Sequence, residues 1–264
     1  MRVEINEDLV KRNRRVATYL FFFSLAVLLF GFLAANGSFF GADALSEDAG
    51  SLYLFAMPVV LVIGFVSTLV SVRMTNMWVR QPRPEDAIRT GLKGISNKSI
   101  LYNYLHMPAR HILIAPQGVF ILTTRYQDGH YEVKNDRWHT KRSPIGRLLS
   151  LFRMDGIENP HLDSKIATQH VQEIMDELEI DIEVQPLILF IDPRAELDIQ
   201  DSTVPVMYAM DKATIGKKEV RLKPNLKEYL KSIPKDEYQT LTDEEIEKFE
   251  DATLEFEEVA VTDE

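Results

Sequence analysis

The sequence predicts two N-terminal transmembrane α-helices followed by an α/β (α+β) domain with a hairpin-built mixed sheet. Three observations support this fold class. Residues 16–42 and 49–72 contain no charged side chain, whereas charges are dense elsewhere. Residues 109–134 contain three apolar runs, and the turn signals Pro116-Gln117-Gly118 and Asp128-Gly129 separate them. Helical and extended patterns then alternate to residue 233, as expected for helices packed on a sheet.

The two uncharged stretches are long enough to cross a bilayer. Residues 16–35 form a run of 20 and residues 52–72 a run of 21, and about 20 apolar residues span a hydrocarbon core. A cleaved signal peptide is the alternative for the first run, because basic residues precede it and Ala42-Asp43-Ala44 has the pattern of a cleavage site. A signal core is shorter and a second span follows at once, so we favour two membrane helices.

The charges that flank the spans predict their orientation. The connector carries Asp43, Glu47 and Asp48 and no basic residue, whereas four of residues 11–15 are basic and arginines follow residue 72. Because short basic flanks stay in the cytoplasm, we expect a two-pass integral membrane protein with both termini cytoplasmic. The lipid bilayer is then its first partner, through the two spans.

The rest of the chain divides into a domain and a tail. We expect a membrane anchor in residues 1–80, a cytoplasmic domain in 81–234 and an acidic helix or tail in 235–264. The predicted elements of the domain are a helix over 86–105, an antiparallel meander (111–115, 119–124 and 130–133), a helix from Asn159-Pro160 to about 179, strands over 187–191 and 204–210, and a helix over 225–233.

A basic excursion, residues 135–158, follows the meander. In it, Ser143-Pro144 resembles a helix start, after which Ile145, Leu148, Leu149 and Phe152 would share one face. One interpretation is that this short helix packs on the domain's own core. The other is that residues 143–153 lie on the inner leaflet of the membrane.

The net charge of −10 comes from the C-terminal tail. Residues 235–264 contain 13 acidic and 2 basic residues, and the rest of the chain is nearly neutral. Thr242 and Glu245 predict a capping box for a last helix, to about residue 256. Its acid density predicts a solvated helix or a disordered tail rather than a core element. A further hypothesis is that the tail folds back on the basic excursion and masks it.

Most motifs that identify enzyme classes are missing. The sequence has no P-loop, no G-x-G-x-x-G, no H-E-x-x-H and no nucleophile elbow. The chain has no cysteine, which excludes disulfides and thiolate metal sites. His106 and His111 are five residues apart across a loop-to-strand junction, which is not a tight ligand spacing. We therefore expect no cofactor and identify no small-molecule substrate.

A family resemblance rests on two segments. They are GLKGISNKSILYNYLHMPARHILIAPQGVFILTTRYQDGHYEVKNDRW, starting at Gly91, and ENPHLDSKIATQHVQEIM, starting at Glu158. Their order of helix, hairpin, tryptophan and Asn-Pro helix start resembles the NERD (nuclease-related) domain over about residues 88–210. The resemblance implies a restriction-endonuclease-like fold, and some members of the family are anchored in membranes.

The resemblance also implies where catalytic residues would lie. Active members of the fold place an acid on the first helix, an aspartate on the first hairpin strand and Glu-x-Lys on the second. The matching positions here are Ile95, His111, Thr123 and Arg125. None supplies the carboxylate pair that holds Mg²⁺, and an arginine is not a titratable amine. The motif is therefore degenerate. The alternative is a Mg²⁺-dependent, membrane-tethered nuclease with relocated ligands, for which Asp128 and Glu132 are nearby.

We therefore interpret the domain as a non-catalytic module that binds a protein, lipid or nucleic-acid partner at the cytoplasmic face. The candidate binding residues are Lys134, Arg137, Trp138, Lys141, Arg142, Arg147 and Arg153. Such a cluster suits the phosphates of nucleic acids or of anionic lipids. Because only Tyr131 and Trp138 are interleaved aromatics, lipid or protein is favoured over nucleic acid.

Overall fold

A computed structural model describes residues 1–35, 47–141, 156–234 and 238–262. The chain forms two compact units. One contains Asp8–Gln81, and the other contains Met1–Glu7 together with the described residues from Pro82 onward. Of the residues 1–80 that we expect to form a cytoplasmic N-terminus and the membrane anchor, Met1–Glu7 belong to the second unit.

Two long helices make up the first unit, α1 (Glu7–Ala35) and α2 (Glu47–Trp78). Both are long and apolar enough to cross a membrane, over Glu7–Leu33 and Pro58–Trp78. The helices α1 and α2 contain the predicted spans, residues 16–35 and 52–72, and are longer than those spans. Most of the large apolar side chains described on these helices are exposed, including Phe22 and Phe30 on α1 and Val62 on α2, as a lipid-facing surface requires.

Small residues line the contact between α1 and α2. Ala17, Ser24 and Gly31 recur every seven residues on α1, and all three are buried. Gly64 and Ser71 have the same spacing on α2. A Cβ atom at Gly64 would lie 3.2 Å from Val27 Cγ1, so the missing side chain lets the helices approach closely. This is a common arrangement between membrane helices.

The second unit contains the strands and the remaining helices. The strands are β1 (Arg2–Ile5), β2 (Ile100–His106), β3 (Ala109–Ala115), β4 (Gly118–Arg125), β5 (Gly129–Lys134), β6 (Arg137–Lys141), β7 (Val184–Phe190), β8 (Ala195–Ile199), β9 (Val206–Tyr208), β10 (Lys212–Ile215) and β11 (Lys218–Arg221). The helices are α3 (Pro84–Gly91), α4 (Pro160–Glu177), α5 (Leu226–Ser232) and α6 (Asp243–Thr262).

A mixed six-stranded sheet, in the order β1-β2-β3-β4-β7-β9, organises this α/β domain. β2, β3 and β4 are antiparallel neighbours, whereas the pairs β1–β2, β4–β7 and β7–β9 are parallel. One face forms the α3-side core, in which Ile88 of α3 packs with Leu113 and Leu122. The other face forms the α4-side core, in which Val171 of α4 packs with Ile121.

A smaller sheet, in the order β6-β5-β8, adjoins the first along the chain. Along the chain, β5 follows β4 and β8 follows β7. In the first sheet β4 is parallel to β7, and in the smaller sheet β5 is parallel to β8. Two neighbouring segments therefore pass together from the first sheet to the second. Val133 and Tyr131 of β5 are buried on the inner face of the smaller sheet.

Two predicted elements were wrong. The chain over 100–105 is strand β2, and the helix before it ends at Gly91. Both faces of β2 are buried, so the strand lacks the polar alternation that separates an extended pattern from a helical one. The meander was wrong in its third strand, because β7 occupies the free edge of β4. Gly129, at φ +115°, lies at the turn that leads β5 into the second sheet.

The helix starts predicted at residues 159, 225 and 242 were correct. The side chain of Asn159 accepts from Leu162 N at 3.2 Å and that of Asn225 from Glu228 N at 2.9 Å. In the capping box, Thr242 N donates to Glu245 Oε2 at 2.7 Å.

The expectation that the last helix lies outside the core was wrong. Phe249 of α6 is fully buried in the α4-side core. Its ring stacks on His106 at 4.6 Å. Among the described side chains of α6, Asp243, Glu244, Glu247 and Asp251 are exposed, whereas Ile246 and Phe249 face the core. The overall charge of the segment conceals that periodicity.

Candidate functional site

Thr123 and Arg125 lie on the sheet face that packs against α4. Ile112 pairs with Ile121 across β3 and β4, and residues two apart on a strand share a face. Both residues therefore share the α4-side face with Ile121. The guanidinium of Arg125 forms a hydrogen-bonded ion pair with Asp163 in the first turn of α4. Because only 11% of the Arg125 side chain is exposed, its charge is committed to that carboxylate.

His111 lies on the opposite face, since it precedes Ile112 by one residue. It is fully buried, and its Nδ1 is 2.8 Å from Oδ1 of Asn103. The amide of Asn103 donates to the carbonyl oxygen of Glu4 at 3.2 Å. Burial lowers the pKa of His111 to about 3, with a smaller contribution from Arg110. The neutral ring, with its proton on Nδ1, therefore connects β3 to β2 and through it to β1.

The four matched positions are divided between the two faces. Ile95 lies in the turn after α3 and packs against the α3-side core, on the face that also holds His111. Thr123 and Arg125 lie across the sheet from both. Within the ranges that the structure covers, no group of three or more His, Asp or Glu side chains is placed to hold a metal ion. What these positions provide is a buried hydrogen-bond network and an ion pair.

Two aspartates lie after neighbouring parallel strands, where ligands often bind in α/β sheets. Asp128 follows β4 and Asp192 follows β7. Arg194 contacts both: its Nη2 lies 3.5 Å from Asp128 Oδ2 and 2.6 Å from Asp192 Oδ2. Asp192 is buried, and sequence reasoning missed it. Its position directly after an apolar strand was the available signal. An arginine thus occupies the space that a cation shared by these carboxylates would need.

Three predicted binding residues lie on the outer face of the smaller sheet. Lys134, Arg137 and Lys141 are exposed on β5 and β6. Acids share that face, since Glu132 Oε2 lies 3.1 Å from Lys141 Nζ, an ion pair that lowers the pKa of Glu132. On β8, Glu196 and Asp198 are in register with His130 and Glu132. The face is therefore mixed in charge. Arg142, Arg147, Arg153 and the helix predicted within residues 143–153 lie outside the described residues.

Trp138 points away from those lysines and arginines. It pairs with buried Val133, and its ring lies 5.9 Å from that of Phe190. Its indole nitrogen donates to Nδ1 of His161 at 2.7 Å. The aromatic ring is thus half-buried inside the domain, where its N–H is already satisfied. A hairpin turn at Asn135-Asp136, both at positive φ, joins β5 to β6. Those residue types are the signal that would have predicted β6.

His161 joins Trp138, Asp136 and Ser202 in a cluster that resembles a catalytic triad in composition alone. Its Nε2 lies 2.9 Å from Ser202 Oγ and 3.0 Å from Asp136 Oδ1. Because an indole can only donate, Nδ1 must accept and the proton sits on Nε2. Nε2 therefore cannot take a proton from Ser202, whose hydroxyl donates to Val204 O at 2.6 Å. Burial lowers the pKa of His161. The role of the cluster is therefore structural: His161 connects Trp138 and Asp136 to Ser202.

Comparison of the chain with protein-family models, with curated proteins and with solved structures finds no match.

Proposed function

We propose that this chain is a two-span membrane protein that presents a NERD-like domain at the cytoplasmic face, where the domain binds a macromolecular partner without cleaving nucleic acid. The observation that carries the proposal is the parallel pairing of β1 with β2. β1 ends at Ile5 and α1 begins at Glu7, whereas β2 follows both long helices. Strands that share hydrogen bonds lie in the same aqueous compartment. The pairing therefore supports an even number of spans between them, as in a two-pass topology.

The chemistry of the sheet favours binding over cleavage. His111 is a buried hydrogen-bonded residue, Arg125 is paired with Asp163, and the two lie on opposite faces. A hydrolytic Mg²⁺ site needs converging anionic oxygens. The outer face of the smaller sheet offers both signs of charge, and we therefore rank a protein partner above a nucleic acid, whose phosphates would be repelled by Glu132 and Glu196.

The topology can be tested with single cysteines, because the native chain has none. Ser38→Cys places a thiol in the connector and Glu219→Cys places one on the exposed β11 strand. With a membrane-impermeant maleimide on intact cells, we expect Ser38→Cys to be labelled and Glu219→Cys to be labelled only after permeabilisation. Labelling of Glu219→Cys in intact cells would overturn the cytoplasmic placement.

The alternative of relocated ligands names Asp128, with Glu132 nearby in the sequence, and the contact of Arg194 with both Asp128 and Asp192 adds Asp192 as a candidate. It predicts that the purified full chain nicks plasmid DNA with Mg²⁺, that EDTA stops the reaction and that Asp128→Ala abolishes it. Asp198→Ala removes an acid from the adjoining β8 and is the matched control. We expect no cleavage above background from any of these proteins. Cleavage that is lost in Asp128→Ala but retained in Asp198→Ala would establish the nuclease.

A further inference from the structure

An open pocket of about 700 Å³ lies between the N-terminal strand and the turn that follows α3. Met1, which precedes β1, and Val3 of β1 form one side, and Lys93 to Asn97 form the other. Gly94, at φ +77°, allows the chain to turn back at this point. All of these residues belong to the same compact unit. The volume is in the range of sites that hold small molecules.

The pocket has an apolar floor and a basic rim. Leu92, Ile95 and Val3 supply the floor, and Leu92 is almost fully buried. Arg89 and Lys93 supply two cations, and among the residues that the structure describes no acid lines the pocket. The nearest described acid that pairs with the rim is Asp86, whose Oδ1 lies 3.2 Å from Arg89 Nη2.

Neutral donors complete the rim. Ser96 Oγ accepts from Lys98 N at 3.1 Å, which leaves its hydroxyl proton free to donate. The amide of Asn97 also lines the pocket. The end of α3 carries partial negative charge that would repel an anion. Two of its carbonyl groups are hydrogen-bonded, since Ile88 O accepts from Leu92 N at 2.9 Å and Thr90 O from Lys93 N at 3.3 Å. The full positive charge of Lys93 also exceeds the partial charge at a helix end, which is about half an elementary charge.

We propose that this pocket binds a small phosphomonoester that carries an apolar group. A phosphate dianion matches two cations and two neutral donors, and a guanidinium can bind it with two parallel hydrogen bonds. The apolar group would lie on Ile95, Leu92 and Val3. Ile95, matched to a catalytic acid by family resemblance, then has a role in ligand binding. This inference does not depend on the nuclease relationship or on the membrane topology.

The test uses the full chain in phosphatidylcholine nanodiscs. Lys98→Cys, an exposed position beside the pocket, carries an environment-sensitive fluorophore, and hexyl phosphate is the titrant. We expect a saturable response. In that background, Arg89→Gln and Lys93→Gln should each weaken binding about tenfold, which corresponds to one lost charge-assisted hydrogen bond. Asp86→Asn should strengthen binding, because it releases Arg89.

Lys217→Gln is the matched control, since it removes one exposed cation from the β10–β11 turn. It should bind hexyl phosphate as the parent protein does. Equal affinity in Arg89→Gln, Lys93→Gln and Lys217→Gln would overturn the proposal, as would a response that does not saturate. Inorganic phosphate should bind at least about tenfold more weakly than hexyl phosphate, because buried methylenes contribute to affinity. Equal binding of the two ligands would show that the apolar group does not contribute to affinity, and would overturn that part of the proposal.

Two sources of the ligand can then be separated. In nanodiscs that contain phosphatidic acid, a lipid source predicts that the fluorophore signal is already shifted and that hexyl phosphate adds little. A soluble source predicts an unchanged titration. Both results support the phosphomonoester chemistry. Unfolding midpoints equal to the parent's, measured for every variant, ensure that a lost response reflects the pocket and not the fold.

Discussion

The guanidinium of Arg2 forms an ion pair with the carboxylate of Glu250, although 248 positions separate the two residues in the chain. Tyr102 lies between them in sequence and joins the same group, since its hydroxyl donates to Glu250 Oε1 at 2.5 Å. The first strand, the second strand and the last helix therefore meet at one polar cluster beside the α4-side core. This arrangement explains how an acidic C-terminal segment becomes part of the domain.

Glu250→Gln should destabilise the domain by about 1 kcal/mol, because the ion pair is partly exposed and pairs of that kind contribute little. The measurement is denaturant unfolding of the full chain, followed by Trp138 fluorescence in a Trp78→Phe background. Glu247→Gln, on the exposed side of the same helix, should leave the midpoint unchanged. Equal effects of the two substitutions would show that the Arg2 contact contributes nothing.

Phe249→Ala should cost about 3–5 kcal/mol, the usual range for removing a buried phenylalanine. The ring is fully buried and contacts both His106 and Tyr102. Limited proteolysis should then cut within α6 before it cuts α4. If the variant unfolds at the parent's denaturant concentration, α6 is not part of the core.

Gly91→Ala should prevent stable folding. A Cβ atom there would lie 1.8 Å from the carbonyl oxygen of Ala209, and neither α3 nor the segment after β9 can move without disturbing the α3-side core. Gly156→Ala is the control, since its Cβ would meet no atom closer than 4.0 Å. Soluble expression and circular dichroism of the two variants provide the comparison. A folded Gly91→Ala protein would contradict the close approach of α3 to residue 209.

Stability should fall as the pH drops below about 6.5, the ordinary pKa of histidine. Burial lowers the pKa of His111 to about 3 and that of His106 to about 4. Below that pH the unfolded chain binds protons at these two histidines that the folded protein does not bind. Each histidine therefore lowers the free energy of unfolding by about 1.4 kcal/mol per pH unit. Above pH 6.5 both states are neutral at these sites, and their contribution is fully present.

His111→Asn should reduce the slope of unfolding free energy against pH between 4 and 6 by about one proton. His139→Asn, at an exposed position of β6, should leave the slope unchanged. Denaturant titrations at several pH values in that range supply the slopes. An unchanged slope in His111→Asn would mean that this imidazole is charged in the folded protein.

Local signals predicted the elements whose physics is local. Asn159 and Asn225 cap helices because their side chains reach backbone N–H groups three residues on. The order of β3 and β4 followed from a tight turn at Gly118. By contrast, the partner of β4 on its other side is β7, about 60 residues away in sequence. No short-range pattern specifies such a pairing, and the Asp128-Gly129 turn was therefore assigned to the wrong hairpin.

The candidate site was less predictable than the fold. Lys134 and Arg137, two of the predicted binding residues, are exposed, but their acidic neighbours on β8 come from a distant segment. Trp138 was grouped with them because it is adjacent in sequence, although alternation along a strand places it on the opposite face. The contact between Asp192, Arg194 and Asp128 depends on two parallel strands ending together. This contact depends on which strands are neighbours in the sheet, and no single segment of the sequence specifies that.

The position of β1 has a consequence for how the domain can be produced. A protein that begins at residue 81 would contain every strand except the first, and β2 would become a bare edge with its N–H and C=O groups unpaired over four residues. An exposed apolar edge of that kind recruits other chains and leads to aggregation. Supplying residues 1–6 through a short linker to Pro82 would restore the missing strand without the membrane helices.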